Sequence, residues 1–320
     1  MGGHAAQSGA PAPVPVVREC AGCSRSLGHA RARWPWPASP RDRRRTRGRP
    51  AERAAHPCGP AVRGEVLIVG AGPGDPDLIT VAGLRALRRA DVVLYDRLAP
   101  AELLDESRAD AVLIDVGKTP GHHAVPQERI NELIVEHARR GSVVVRLKGG
   151  DPYVFGRGGE ELDACRAAGV PVRIIPGITS AIAVPGQAGI PVTHRGISRS
   201  FTVVSGHVPF DDAQYRALAG IGGTIVVLMG VNTMRQVVTG LARGGMRADV
   251  PLAVVERGFS EARRTRVATV GTAGAVFAGD SPRSPAVIVI GEVVRRAEVD
   301  PLDEAALQAR VESLVGAATP

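Results

Sequence analysis

The sequence predicts an α/β protein: two α/β domains with a ligand cleft between them, preceded by a disordered N-terminal tail. Three observations predict it. From Glu65 onward, apolar strand-like runs alternate with helical patterns over short links, the signature of βα units around a mostly parallel sheet. The 320 residues, 44% of them hydrophobic, suffice for one large or two medium domains. Several apolar runs end in glycine-rich loops, and open α/β sheets bind their ligands at the carboxyl ends of strands.

The elements follow in order. Residues 1–62 are rich in Ala, Arg, Pro and Gly without periodicity, so they bury no core and read as a disordered tail. Glu65–Gly70 reads as the first strand, Leu78–Ala90 as a helix, Asp91–Tyr95 and Ala111–Val116 as strands. Pro126–Arg140 is the best-marked helix: Pro126 suits the first turn, Gly141 the stop, and Ile130, Leu133, Ile134 and His137 share one face. Strand Ser142–Leu147, helix Gly159–Ala168 and strand Val170–Ile175 follow. After a small-residue stretch to Gly189 come five more strands, Phe201–Ser205, Thr224–Met229, Pro251–Glu256, Arg264–Val270 and Ala286–Ile290. The expected division is a tail over 1–62, domains over 63–196 and 197–300, and a helix or tail over 301–320. A cleft between two domains favours a small-molecule ligand.

Charge narrows the ligand. The net charge of +8 suggests nucleic acid, but residues 1–62 carry eleven arginines against three acids, and residues 63–320 carry 29 basic and 29 acidic residues. The folded body therefore has no global field for a polyanion, and nucleic-acid binding is excluded for it. Arginine outnumbers lysine 38 to 2, the lysines being Lys118 and Lys148; only lysine can readily shift its pKa or shed a proton. Cys20, Cys23, His56 and Cys58 have the composition of a zinc knuckle but no patterning around them, and Cys165 reads as a small core residue. No metal is expected. No apolar run reaches the ~20 residues of a membrane span, Pro11, Pro13 and Pro15 interrupt any secretory core, and the chain reads as cytoplasmic.

The loops carry the chemistry. Arg146 to Glu161 holds five glycines, Pro152 and Asp151 directly after an apolar run, so its backbone can touch a ligand. Gly70-Ala71-Gly72-Pro73-Gly74-Asp75 approaches a dinucleotide fingerprint but has Asp75 where the sixth position needs glycine. An acid there opposes a pyrophosphate and suits a neutral or cationic ligand. Gly117-Lys118-Thr119 imitates the end of a Walker loop, yet Val112 stands where its first glycine belongs. His122-His123 lacks a third metal ligand nearby. Arg97, Lys118, His122, Arg146, Arg157, His194, Arg195 and Arg199 give the strand-end loops many cations. Grouped at one cleft, they suit a substrate bearing several carboxylates.

Together these loops resemble the uroporphyrinogen-III C-methyltransferases of the tetrapyrrole methylase (class III methyltransferase) superfamily, from about Glu65 to Gly291. The matching motifs are Val69 through Pro76, Tyr95-Asp96, Gly117-Lys118, Arg146 through Glu161, Pro176-Gly177-Ile178-Thr179-Ser180, Gly189 through Arg195, and Met229-Gly230. The resemblance implies two methyl transfers from S-adenosylmethionine to carbons 2 and 7 of uroporphyrinogen III, giving precorrin-2 on the route to sirohaem and cobalamin. It also implies a homodimer with the cofactor in the cleft between the domains. By the same resemblance, cofactor contacts fall at Pro73, Gly149, Gly150, Asp151, Val154, Thr179, Ser180, Met229 and Gly258. Asp96 becomes the proton acceptor, and Lys118 a proton donor or substrate contact. Arg97, His122, Arg146, Arg157, His194 and Arg195 are carried as substrate contacts. The sulfonium cofactor has no phosphate and the substrate has eight carboxylates, in agreement with Asp75 and with the cationic loops.

The chain departs from the family at Gln187, where members often have tyrosine, and at Phe259, where threonine usually follows Gly258; the glutamine usual soon afterwards is missing from Ser260 to Arg266. The alternatives are a sister methylase acting on a later precorrin and a non-catalytic tetrapyrrole-binding relative.

Overall fold

The computed structural model describes residues 64–117 and 125–298. The tail, its Cys/His group, Lys118, His122, His123 and the segment 301–320 lie outside the described residues.

Among the described residues, ten strands build two five-stranded sheets. The first contains β1 (Glu65–Gly70), β2 (Val92–Tyr95), β3 (Val112–Asp115), β4 (Val143–Lys148) and β5 (Val172–Ile175), in the order β3-β2-β4-β1-β5. Every pairing is parallel, so all five carboxyl ends emerge on one edge. Successive residues of a strand face opposite sides. Val66 and Ile68 pack with α2 (Gln127–Arg139) and α3 (Gly158–Ala167), while Leu67 and Val69 pack with α1 (Val81–Leu87). Both faces are thus covered, as a parallel sheet requires. Cys165 is buried in the first of these clusters.

The second sheet comprises β6 (Phe201–Ser205), β7 (Thr224–Leu228), β8 (Pro251–Glu256), β9 (Arg264–Thr269) and β10 (Ala286–Ile290), in the order β6-β7-β10-β8-β9. Only β6 and β7 run parallel; the other three pairings are antiparallel. One face carries α5 (Asp212–Ile221), α6 (Met234–Arg243) and the short α7 (Ala273–Val276). The other carries α4 (Ser180–Gln187), through Ala181 and Val184. α4 follows the last strand of the first sheet in sequence but packs on the second.

Three local readings shift. The helix expected from Leu78 begins at Val81, because Thr80 caps it by accepting from the Gly83 amide (3.1 Å), and Pro76–Leu78 forms a separate 3-10 turn. Pro126 sits one position before helix α2 rather than in its first turn. α4 lies within the small-residue stretch before Gly189; its sequence, SAIAVPGQ, has no polar face and holds Pro185, so periodicity gives no signal for it.

Candidate functional site

The carboxyl edge of the first sheet is drawn together by its backbone. Gly72 after β1 and Gly150 after β4 exchange hydrogen bonds, 3.2 Å from the Gly72 amide and 2.6 Å from the Gly150 amide. The loop after β5 closes on both: a β-carbon on Gly177 would lie 2.2 Å from the Gly150 carbonyl and 2.7 Å from the Gly70 α-carbon. Asp151 ties this seam. Its Oδ2 accepts from the Gly177 amide (3.0 Å) and its Oδ1 from the Tyr153 amide (2.8 Å). Gly150 has φ +68°, a region costly for other residues, and the side where its β-carbon would stand faces Thr179 and the Ser180 amide, both 3.9 Å away. Thr179 caps α4 by accepting from the Ala181 amide. The seam therefore abuts a helix N-terminus.

The second sheet supplies the opposite side. Gly74 lies against the Gly258 carbonyl and Phe259, at 3.3 and 3.4 Å from its would-be β-carbon. Gly258 in turn lies against Val184 of α4. Gln187 Oε1 accepts from the Phe259 amide (2.8 Å), and the Gln187 carbonyl accepts from Arg263 (2.5 Å). Val154 and Phe259 both pack against the apolar cluster that contains Val184 and Leu228, and Met229 follows Leu228 at the end of β7 with half its surface exposed. Among the described residues, the non-glycine residues with positive φ are Phe155, Arg157, Met229, Arg257 and Phe259. All lie in the loops after β4, β7 and β8, and such strain gathers at functional sites. The structure thus sets Gly150 and Asp151 against Thr179, Ser180 and Gly177, and brings the loop after β1, which holds Pro73, against Gly258; Gly149 and Val154 lie on the loop after β4 and Met229 at the end of β7.

Asp96 stands at the end of β2. Its Oδ1 accepts from the Leu98 amide (3.2 Å) and the Gly149 amide (3.3 Å), and its Oδ2 lies 3.5 Å from Arg146 Nη2. About a quarter of its side chain remains exposed. Behind it, Glu161 Oε1 receives Arg146 Nε at 2.9 Å, Lys148 Nζ at 2.9 Å and Gln127 Nε2 at 3.3 Å. Burial and the neighbouring Arg146 charge lower the Lys148 ammonium pKa, against the opposing pull of Glu161 and Asp96. Burial lifts the Cys165 thiol to about 11, which keeps it protonated and inert.

The expected substrate cations divide. Arg97 is exposed beside Gly117, and Arg157 is exposed with both ends of its guanidinium on Glu160 (2.8 and 2.6 Å). His194 and Arg195 lie on the link between α4 and β6, where His194 bridges to Ser198 and its Nδ1 meets the Arg195 carbonyl at 2.8 Å. Arg146 differs from the expectation. It is 3% exposed and its guanidinium is committed to Glu161, Asp96 and the Leu94 and Leu147 carbonyls, so it is an internal ion-pair partner and not a contact for a substrate carboxylate. Asp75 also has a local task, accepting from the Asp77 amide (2.9 Å) to cap the turn after β1. Sequence reasoning assigned nothing to Glu161 and no contact to Gln187. The signal for Glu161 was an Arg-x-Lys spacing at a strand end, two cations on one face, followed by an acid in the next helix; Gln187 carries no comparable pattern.

The lining fits a ligand recognised by backbone groups: glycine edges, an amide-rich helix start, and acids that a phosphate would have to meet. Among the described residues, no group of three or more His, Cys, Asp or Glu could hold a metal ion, and no helix is long and apolar enough to cross a membrane.

Comparison with known proteins agrees. Residues 65–274 match the family of Tetrapyrrole (Corrin/Porphyrin) Methylases. A uroporphyrinogen-III C-methyltransferase of Methanocaldococcus jannaschii is 48% identical over 234 residues, covering 72% of this chain and 97% of that protein. The chain spans about half the length of the sirohaem synthases it also matches, 53% of one that is 44% identical over 247 residues. A crystal structure of the Thermus thermophilus uroporphyrin-III C-methyltransferase complexed with S-adenyl homocysteine superposes with TM-score 0.63 at 40% identity, covering 72% of this chain and 99% of that one. The cobalt precorrin-4 methyltransferase structure gives TM-score 0.65 at 28% identity, covering 74% and 98%.

Proposed function

The chain belongs to the tetrapyrrole methylase family, and from that premise we propose that it is a methyltransferase converting uroporphyrinogen III to precorrin-2 by methylation at carbons 2 and 7. The observation that carries this reading is the seam of Gly72, Gly150 and Gly177, tied by Asp151 and facing the start of α4. It is an edge built from backbone, with the Asp151 carboxylate beside it. S-adenosylmethionine, when bound, supplies an electrophilic methyl group on a sulfonium.

The chain's own residues hold and orient. The glycine loops, Asp151 and the first turn of α4 hold the cofactor from the first sheet; Met229 and Gly258 close on it from the second. Transfer of that methyl group to a pyrrole carbon, with loss of the carbon–sulfur bond, would leave one proton to be removed from the substrate skeleton at each methylation. Asp96 would accept it: its carboxylate is fixed by two backbone amides yet stays partly exposed. Lys118 belongs to the same proposal as proton donor or substrate contact, and Arg97, Arg157, His122, His194 and Arg195 as contacts for substrate carboxylates. Much of the acceleration comes from alignment and exclusion of water, with proton transfer adding about 10²- to 10⁴-fold. A homodimer acting in the cytoplasm completes the reading, and sedimentation of the purified chain checks the dimer.

The second reading, a methylase of a later corrin intermediate, is favoured by one observation: the cobalt precorrin-4 enzyme superposes as well as the uroporphyrin enzyme does. Identity separates them, 40% against 28%. The test is incubation with uroporphyrinogen III and methyl-labelled S-adenosylmethionine. Incorporation of two methyl groups into precorrin-2 supports the first reading; turnover confined to a later precorrin replaces it with the second.

A further inference from the structure

Val144, Arg146 and Lys148 share one face of β4 because alternate residues of a strand point the same way. Val144 meets the apolar cluster under α2 and α3. Towards the carboxyl end the same face becomes charged, and Glu161 of α3 receives both cations on a single oxygen. The side chains of Arg146, Lys148 and Glu161 are 4%, 5% and 0% exposed, and Glu161 Oε2 is buried without a partner. Burying such a group is a poor route to stability, since apolar residues of similar volume often do as well or better.

Their position shows what they hold. Arg146 Nε is on Glu161, and Nη1 is on the Leu147 carbonyl (2.9 Å) and near the Leu94 carbonyl (3.4 Å). The remaining nitrogen, Nη2, faces Asp96 Oδ2 at 3.5 Å. Lys148 directly precedes Gly149, whose amide donates to the other Asp96 oxygen. The end of β4 thus delivers two donors to the carboxylate that follows β2, and α3 sets the angle of the charged one.

We propose that Arg146, oriented by Glu161 and Lys148, is a positioning residue that aims the Asp96 carboxylate at the substrate. This rests on the reading of Asp96 as proton acceptor. Arg146 does not touch substrate; it acts through Asp96.

The test compares kcat and KM of the full chain and its variants per folded molecule, counted by calorimetric titration with S-adenosylhomocysteine. Asp96→Asn loses about 10²- to 10⁴-fold in kcat, the range for an acid–base group. Arg146→Met and Glu161→Gln lose about 10²-fold, the scale of a misplaced reacting group, while KM for both substrates stays close to that of the parent. Arg146→Lys, which keeps a charge near Asp96, recovers part of the loss. The double variant Arg146→Met/Asp96→Asn is no slower than Asp96→Asn alone, because the two act as one unit. Should Glu161→Gln not fold, Lys148→Met/Glu161→Gln removes one charge of each sign and is read the same way. Parent kcat in Arg146→Met and Glu161→Gln, or losses that multiply in the double variant, overturns the positioning role while leaving Asp96 as acceptor. Parent kcat in Asp96→Asn overturns the acceptor reading itself, and the positioning role with it.

Discussion

At the carboxyl edge of the first sheet, backbone rests on backbone: Gly72 and Gly150 trade hydrogen bonds, and Gly70 lies against Gly177. At the strand ends of the second sheet, side chains share the packing: Gly258 lies against Val184 and Gly230 against Val227 and Ile288, while Gly206 lies against the Gly230 backbone. The charges differ too. The first sheet buries Arg146, Lys148 and Glu161 beside Asp96. The second buries Arg266 against Glu256, with the guanidinium over the Phe277 ring and reaching the Asp280 carbonyl. That pair lies on the face of α6 and α7, away from α4. The difference teaches that the seam of Gly70, Gly72, Gly150 and Gly177 is closed by backbone contacts that cannot yield, whereas Gly258 and Gly230 of the second sheet meet side chains that can shift.

The largest expected effect breaks the rigid edge. Gly177→Ala puts a methyl group 2.2 Å from the Gly150 carbonyl, where no side chain can yield. Binding of S-adenosylhomocysteine by calorimetry and turnover should both be lost, with destabilisation beyond the roughly 1–3 kcal/mol of ordinary overpacking. Gly230→Ala, whose new atom meets Val227 Cγ1 and Ile288 Cδ1, should stay within that range and keep its binding. Equal damage from the two would erase the contrast between the sheets.

Next in size is the remote ion pair. Arg266→Met leaves the Glu256 carboxylate buried with the Arg283 amide on one oxygen but without this cation, and should cost about 3–5 kcal/mol in denaturant unfolding. Because the pair faces away from the cleft, kcat per folded molecule should not change. A fall in kcat comparable to that of Arg146→Met would show that both buried pairs serve the site.

The smallest expected effect lies where the second sheet closes on the first. Gln187→Leu removes the acceptor of the Phe259 amide, a hydrogen bond of about 1 kcal/mol. S-adenosylhomocysteine should bind several-fold more weakly, with kcat at saturation retained. Unchanged affinity would show that the loop after β8 holds its strained shape, Arg257 at φ +48° and Phe259 at φ +61°, without Gln187.

Much of this architecture was legible before any coordinates. Phe201–Ser205, Pro251–Glu256 and Ala286–Ile290 are strands with the bounds their apolar runs suggested, and the glycine loops do follow β1 and β4, although their meeting at Gly72 and Gly150 was not foreseen. Both signals are local. A run of branched apolar residues favours an extended chain wherever it pairs, and a glycine cluster at a strand end allows close approach whatever approaches. Other features depended on partners far away in the chain. The antiparallel pairings of the second sheet, the docking of α4 onto it and the tie from Asp151 to Gly177 each join segments whose contact no spacing encodes. Arg146 shows the limit most clearly. Its charge and its place at a strand end suggested a substrate contact, but only the packing of α3 brought Glu161 within 2.9 Å and enclosed it. A cation's surroundings are set by what folds over it, and that is a property of the tertiary structure.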